Sequence, residues 1–312
     1  MADTRPWAIF LMGPTAAGKT DTAMALHERL GHELISVDSA MVYRGMDIGS
    51  AKPSPAELSR APHHLIDIRD PATPYSAADF REDALSLMRQ ISAVGNVPLL
   101  VGGTMLYYKR LVEGVANLPA ADPVIRQQLE AKWQKEGLLS LHKRLAEVDA
   151  VSAQRIHPND PQRIMRALEV YYASGRPMSD LWAEQSRETF PWRVLSIVLA
   201  PSDRHLLHQR IAKRFELMMA EGLINEVAAL KKRNDLHLGL SAMKSVGYRQ
   251  VWEYLEGEYD YATLVDRGVI ATRQLAKRQL TWLRSWPSLE WVDSQRPDAL
   301  DKVLKIVRES GA

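Results

Sequence analysis

The sequence predicts an α/β fold: a doubly wound parallel sheet interrupted by an all-helical insertion. Three observations predict it. Unbroken apolar runs recur through the first hundred or so residues, separated by stretches of helical periodicity, the pattern of parallel strands covered on both faces. A glycine-containing loop joins the first run to the first helix. After Gly114 the strand signal disappears and returns only at Val194–Leu199.

The first strand is Trp7–Met12. Directly after it come Gly13, Pro14, Thr15, Ala16, Ala17, Gly18, Lys19 and Thr20, a complete G-x-x-x-x-G-K-[ST] loop, and a helix over Thr22–Leu30. Strand, loop and helix in that order are the context the motif needs, so the core is P-loop NTPase-like. A second strand, Leu34–Val37, ends at Asp38. A third is expected at Leu65–Ile68, then a helix over Ala77–Val94. The fourth strand, Val97–Val101, runs into Gly102, Gly103 and Thr104, and a helix follows over Met105–Glu113.

From Asp122 to Gln185 only helical periodicity is visible. Asp122-Pro123 and Asp160-Pro161 each combine an N-cap with a first-turn proline. An insertion over 115–192 therefore divides a core made of 1–114 and 193–312. The core resumes with the strand Val194–Leu199 and helices from Asp203 onward, including one around 262–284. A late strand, Leu289–Val292, and a final helix, Pro297–Glu309, complete it.

The 312 residues are 46% hydrophobic and 25% charged, which is ordinary for a soluble globular protein. Cysteine is absent, which excludes disulfides, thiolate zinc sites and cysteine nucleophiles. Neither a signal peptide nor an apolar run long enough to span a bilayer is visible, so a cytosolic enzyme is expected. No heptad seam is visible, which favours a monomer. The net charge is only +2, so any nucleic-acid contact has to come from gathered patches.

Amides of the glycine loop and the helix N-terminus form a cradle for a phosphate chain. Lys19 adds a cation, and the Thr20 hydroxyl can ligate magnesium. A small-molecule kinase using ATP is one reading, but such enzymes place an acid at a strand end to help hold the metal. The strand Pro98–Val101 ends in glycines and a threonine instead. Asp38 remains, and its position suits a metal ligand or a base facing the substrate.

The segment Asp38-Ser39-Ala40-Met41-Val-Tyr-Arg-Gly-Met-Asp-Ile-Gly-Ser-Ala-Lys-Pro53 is more specific. With Ala61-Pro-His-His-Leu-Ile-Asp67, Leu99-Leu-Val-Gly-Gly-Thr-Met-Leu-Tyr107, His157-Pro-Asn-Asp-Pro-Gln-Arg163, Ser245-Val-Gly-Tyr-Arg-Gln250 and Ala271-Thr-Arg-Gln-Leu-Ala-Lys-Arg278, it resembles the bacterial tRNA dimethylallyltransferases over essentially the whole chain. The resemblance implies transfer of a dimethylallyl group from dimethylallyl diphosphate to the exocyclic amine of the adenine on the 3′ side of the anticodon. Gly13 to Thr20 would then hold the leaving diphosphate, with magnesium neutralising its charge.

An adenine amine is a poor nucleophile, so a base helps, and Asp38 is the expected one. The rival role for Asp38 is to steady magnesium through water. Thr104 is implied as a second substrate contact, a role compatible with capping the following helix. Arg210 and Arg214 lie four apart on the helix after Asp203. They can close over the diphosphate or pair with Glu216 or Asp203.

RNA contacts are implied along Asp38, Ser39, Ala40 and Met41, at Thr104 and Arg126, and along Gln162, Arg163, Ile164, Met165 and Arg166. The segment Met243, Lys244, Ser245, Val246, Gly247 and Tyr248 offers a cation, a close backbone approach and a ring suited to stacking. On the helix around 262–284, Arg273, Lys277 and Arg284 share one face. Taken singly, each of these stretches also fits a solvated helix face. His63, His64 and His157 lack the spacing of a zinc site. Trp133, Trp182, Trp252 and Trp282 are expected in the core.

Overall fold

The structure, a computed structural model, describes residues 3–116, 118–184 and 189–312; the expected helical end at Gln185 lies outside them. Its strands, in chain order, are β1 (Trp7–Met12), β2 (Glu33–Val37), β3 (His63–His64), β4 (Pro98–Gly102), β5 (Arg193–Ala200) and β6 (Glu290–Asp293). They form one parallel sheet in the order β3-β2-β4-β1-β5-β6. Alternate residues face opposite cores. Phe10, Met12, Ile35, Val37, Leu100 and Val198 pack on one side, and Ile9, Leu11, Leu34, Leu99, Val101 and Ile197 on the other. Two covered faces require apolar residues at both parities, hence the unbroken runs.

The third strand differs from expectation. Pairing stops after His63 and His64, which lie beside Leu34 and Ile35. Leu65 and Asp67 then adopt left-handed φ values of 64° and 57°, which turns the chain out of the sheet. Leu65 is buried in a loop, whereas Ile68 is exposed. A short edge strand of this kind limits the unpaired backbone it presents.

Helices cover the sheet: α1 (Lys19–Leu30), α2 (Pro55–Arg60), α3 (Ala77–Ala93) and α4 (Met105–Glu113) belong to the first half. The first begins at Lys19, earlier than expected, because the motif's lysine and threonine form its opening turn. Gly18 precedes it in the left-handed conformation, and Gly31 ends it likewise. Ser76 and Asp79 form a reciprocal cap at the start of α3.

The chain separates into two compact units, Met1–Val112 with Phe190–Ala312, and Glu113–Thr189. The second contains α5 (Pro123–Glu136), α6 (Leu138–Val148), α7 (Ala150–Arg155), α8 (Pro161–Ser174) and α9 (Met178–Ala183) around its own core of Leu129, Leu141, Leu145, Ile164, Leu168 and Met178. Asp122 accepts from the Val124 and Ile125 amides and Asp160 from the Arg163 amide, each cap contributing about 1 kcal/mol. Trp182 packs against this core. Trp133 departs from expectation and stays 36% exposed.

The first unit continues with α10 (Arg204–Glu221), α11 (Leu223–Lys231), α12 (Tyr248–Leu255), α13 (Tyr261–Arg284) and α14 (Ala299–Ser310). Trp252 is buried there and Trp282 partly so. Among the described residues, no helix is long and apolar enough to cross a membrane.

Candidate active site

Strand register sets the site. Met12 of β1 and Val37 of β2 both pair with Gly102 of β4. The phosphate loop, Asp38 and Gly103 therefore leave the sheet at one level, at its carboxyl edge, where open α/β sheets bind ligands. A Cβ on Gly102 would lie 2.1 Å from the Val37 carbonyl oxygen, and one on Gly13 would lie 2.1 Å from that of Leu199. Only glycine permits these approaches. Thr15 to Thr20, Asp38, Thr104 and Arg214 line one cleft of about 1040 Å³.

Within the loop, Ala16 has a φ of 63° and Gly18 one of 83°. The left-handed alanine costs about 1–2 kcal/mol, which the rest of the loop's packing must offset. The Lys19 ammonium donates to the Pro14 carbonyl at 2.8 Å. Burial, and after it the nearby Arg214, lower its pKa to about 8, with Asp38 acting in the opposite direction. Burial also lowers the pKa of Arg214, again opposed by Asp38. The site thus gathers two half-buried cations that suit an anionic ligand.

Asp38 accepts at Oδ1 from the amides of Ala40, at 2.8 Å, and Met41, at 3.2 Å. These bonds fix the carboxylate and direct its other oxygen elsewhere. The Thr104 hydroxyl accepts from the Ser39 amide at 3.2 Å. It therefore ties two strand ends together, and its own proton is left to donate.

The other expected residues divide. Ser39, Ala40, Met41, Lys244, Ser245, Val246 and Gly247 all line the cleft. Met243 and Tyr248 are 0% exposed, which corrects the stacking role expected of the tyrosine. Its hydroxyl donates to Glu226 at 2.6 Å, and burial raises its pKa. Arg273 and Lys277 are not among the cleft residues. Along α13 the cleft is lined by Thr272, Leu275, Arg278, Gln279 and Trp282. Neighbouring positions on a helix point about 100° apart, so the basic stripe faces another way. Arg210 reaches Ser294 at 3.4 Å and lines an adjoining hollow that Ala16–Gly18 and Arg214 also border, so of that pair Arg214 alone lines the cleft itself.

In the helical unit, Arg126 pairs with Glu130 at 3.4 Å and with buried Glu169 at 3.6 Å. Arg166 pairs with Glu169 at 3.3 Å and donates to the Pro119 carbonyl at 2.7 Å. Arg163 pairs with Asp160 at 3.2 Å and is largely exposed, as is Gln162. Ile164 and Met165 are corrected: both side chains are buried in the unit's core. At helical spacing, a turn that exposes Gln162 and Arg163 turns the next two residues inward.

A family model described as IPP transferase matches residues 41–286. A tRNA dimethylallyltransferase of Chromohalobacter salexigens is 64% identical over 310 residues, 99% of each chain. The chain belongs to this family. Among solved structures, the full-length tRNA isopentenylpyrophosphate transferase of Bacillus halodurans is 34% identical with a TM-score of 0.68, over 99% of this chain and 98% of that one. A eukaryotic dimethylallyltransferase acting on tRNA reaches a TM-score of 0.81 at 23% identity, over 98% of this chain and 79% of its own, a likeness of fold.

Sequence reasoning missed several side chains of this IPP transferase family member. Gln279 is buried and bonds both the phosphate loop and Gly103. Glu226 accepts from the amides of Asp47, Ile48 and Gly49, pinning one wall of the cleft. Lys52 bridges Asp47, Asp67 and the Tyr43 carbonyl on the same wall. For Gln279 the sequence held one signal. It is a polar residue on the stripe of α13 that otherwise buries Leu264, Gly268, Ala276 and Leu283.

Proposed function

We propose that this chain transfers a dimethylallyl group from dimethylallyl diphosphate to the exocyclic amine of the adenine 3′-adjacent to the anticodon of tRNA, releasing diphosphate. The observation that carries the reading is the shared level of the phosphate loop, Asp38 and Thr104 at one sheet edge. Loop amides, Lys19 and Arg214 bind the diphosphate and take up the charge that grows as its carbon–oxygen bond breaks. The amine nitrogen forms the new bond to carbon and gives up a proton to the Asp38 carboxylate, which releases it to solvent. Thr104 orients the incoming group through its hydroxyl proton. The adenine must leave the anticodon stack to arrive there.

Magnesium fits the donor set. The Thr20 hydroxyl and the Asp38 carboxylate line the cleft, and among the described residues no three acidic or histidine side chains gather into a cage. A sparse set of oxygens suits an ion that keeps its waters and takes phosphate oxygens as further ligands. Thr20 would hold it, and it would add positive charge at the leaving group. RNA contacts are assigned to Ser39–Met41 and Lys244–Gly247 in the first unit and to Arg126, Gln162, Arg163 and Arg166 in the second. One cytosolic copy of the chain is taken as the working unit.

Incubation with tRNA and either carbon-labelled dimethylallyl diphosphate or γ-labelled ATP tests the reading. Label should enter RNA only from the prenyl donor. Label entering RNA only from ATP would overturn it. Asp38→Ala should lower turnover by about 10²–10⁴-fold while tRNA is still retained on a filter; full activity in that variant would remove Asp38 as the base.

A further inference from the structure

The donor cradle and the loop bearing Thr104 come from different parts of the chain, yet one side chain from a third element holds both. Gln279 of α13 is 8% exposed. Its Oε1 accepts from the Thr15 amide at 2.9 Å, and its Nε2 donates to the Gly103 carbonyl at 3.0 Å. An amide nitrogen on one side and a carbonyl oxygen on the other leave only one orientation of the glutamine that satisfies both. A Cβ on Gly103 would lie 2.3 Å from that Nε2, so residue 103 has no side chain and the contact is direct.

The linkage continues. Thr104 follows Gly103 and accepts from the Ser39 amide, and Asp38 precedes Ser39. One glutamine thus connects the phosphate loop, through Gly103 and Thr104, to the segment that carries the base. The rest of its helix stripe is apolar, so leucine would serve packing there equally well. A buried amide at this position is explained by what it joins.

We propose that Gln279 is a positioning residue for prenyl transfer, holding the diphosphate cradle at a fixed separation from the Asp38–Thr104 edge. The proposal rests on the transferase reading above. Gln279 acts through Thr15 and Gly103 rather than on substrate. Without it each side keeps its own ligand contacts, but the reacting carbon and nitrogen lose their alignment. Chemistry then suffers more than binding does. A misplacement of about 1 Å lowers such a reaction by roughly 10²-fold.

The test measures single-turnover transfer per active site for the wild-type chain, Gln279→Leu and Gln279→Glu, with KM for both substrates, binding of inorganic diphosphate by calorimetry, and thermal melting. Gln279→Leu should lower the single-turnover rate by about 10²-fold while KM for each substrate changes by no more than about threefold. Gln279→Glu provides a readout that packing alone does not move. A protonated carboxyl can donate to the Gly103 carbonyl as the amide does, whereas a carboxylate repels it. The ratio of variant to wild-type rate should therefore fall as pH rises from about 6 to 8.5, with diphosphate binding retained. Wild-type rates per active site in both variants, a loss confined to KM, or a ratio flat with pH would each overturn the proposal. A wild-type chain that transfers nothing overturns the transferase reading, and this inference with it.

Discussion

The arginines of the cleft and those of the helical unit are held in different ways. Arg214 lies beside Lys19 and within the influence of Asp38, but among the described residues it forms no ion pair. Arg126, Arg163 and Arg166 each already face a carboxylate, and two of them share buried Glu169. A half-buried cation without a counter-ion is costly until an anion arrives, so its position is informative about ligand binding. A paired arginine can meet RNA only by exchanging one anion for another, and its net contribution is correspondingly small. The cleft is built for binding charge, and the helical unit for holding its own shape with charge at its surface.

Removing charge from the two regions sharpens the contrast. Lys19→Ala should have the largest effect, about 10³-fold on kcat/KM for the prenyl donor, read in steady-state transfer. Its lowered pKa also predicts a direction with pH. The ammonium is charged below about 8 and neutral above, so wild-type kcat/KM for the donor should decline as pH rises through that value. A profile flat to pH of about 9.5 would mean that Lys19 does not bind the donor as a cation.

Arg214→Ala comes next, at about 10²-fold in donor kcat/KM. An unchanged donor KM and turnover would remove it from the diphosphate site and erase the contrast from one side. Arg163→Ala should be mildest, raising KM for tRNA by a factor of about 2–5 and reducing the salt dependence of binding by about one phosphate contact. A loss as large as that of Arg214→Ala would break the contrast from the other side.

Most of the sheet was legible because two covered faces write themselves as uninterrupted apolar runs. β1, β2, β4, β5 and β6 were located to within a residue at each end. β3 was misplaced because Leu65 and Ile68 look like strand residues, while the chain turns there through left-handed positions that no local composition announces. The phosphate loop was legible as a motif, and its level alignment with Asp38 and Gly103 was not, since register is a property of pairing between distant segments. Tyr248 was read as an exposed ring because a glycine and a lysine precede it. Burial against Glu226 is a long-range contact that the local sequence does not show. On α13 the charged stripe points to Arg273 and Lys277, whereas the face lining the cleft carries Thr272, Leu275, Arg278, Gln279 and Trp282, a mixed set that does not stand out in the sequence.

Gly13, Gly102 and Gly103 have a consequence for how such a pocket can change over generations. Each stands where even a methyl group would collide with a neighbour, so these backbone positions have no side chain to vary. Room for change is left at the rim, at positions such as Leu106 and Leu217, which line the cleft and reach solvent.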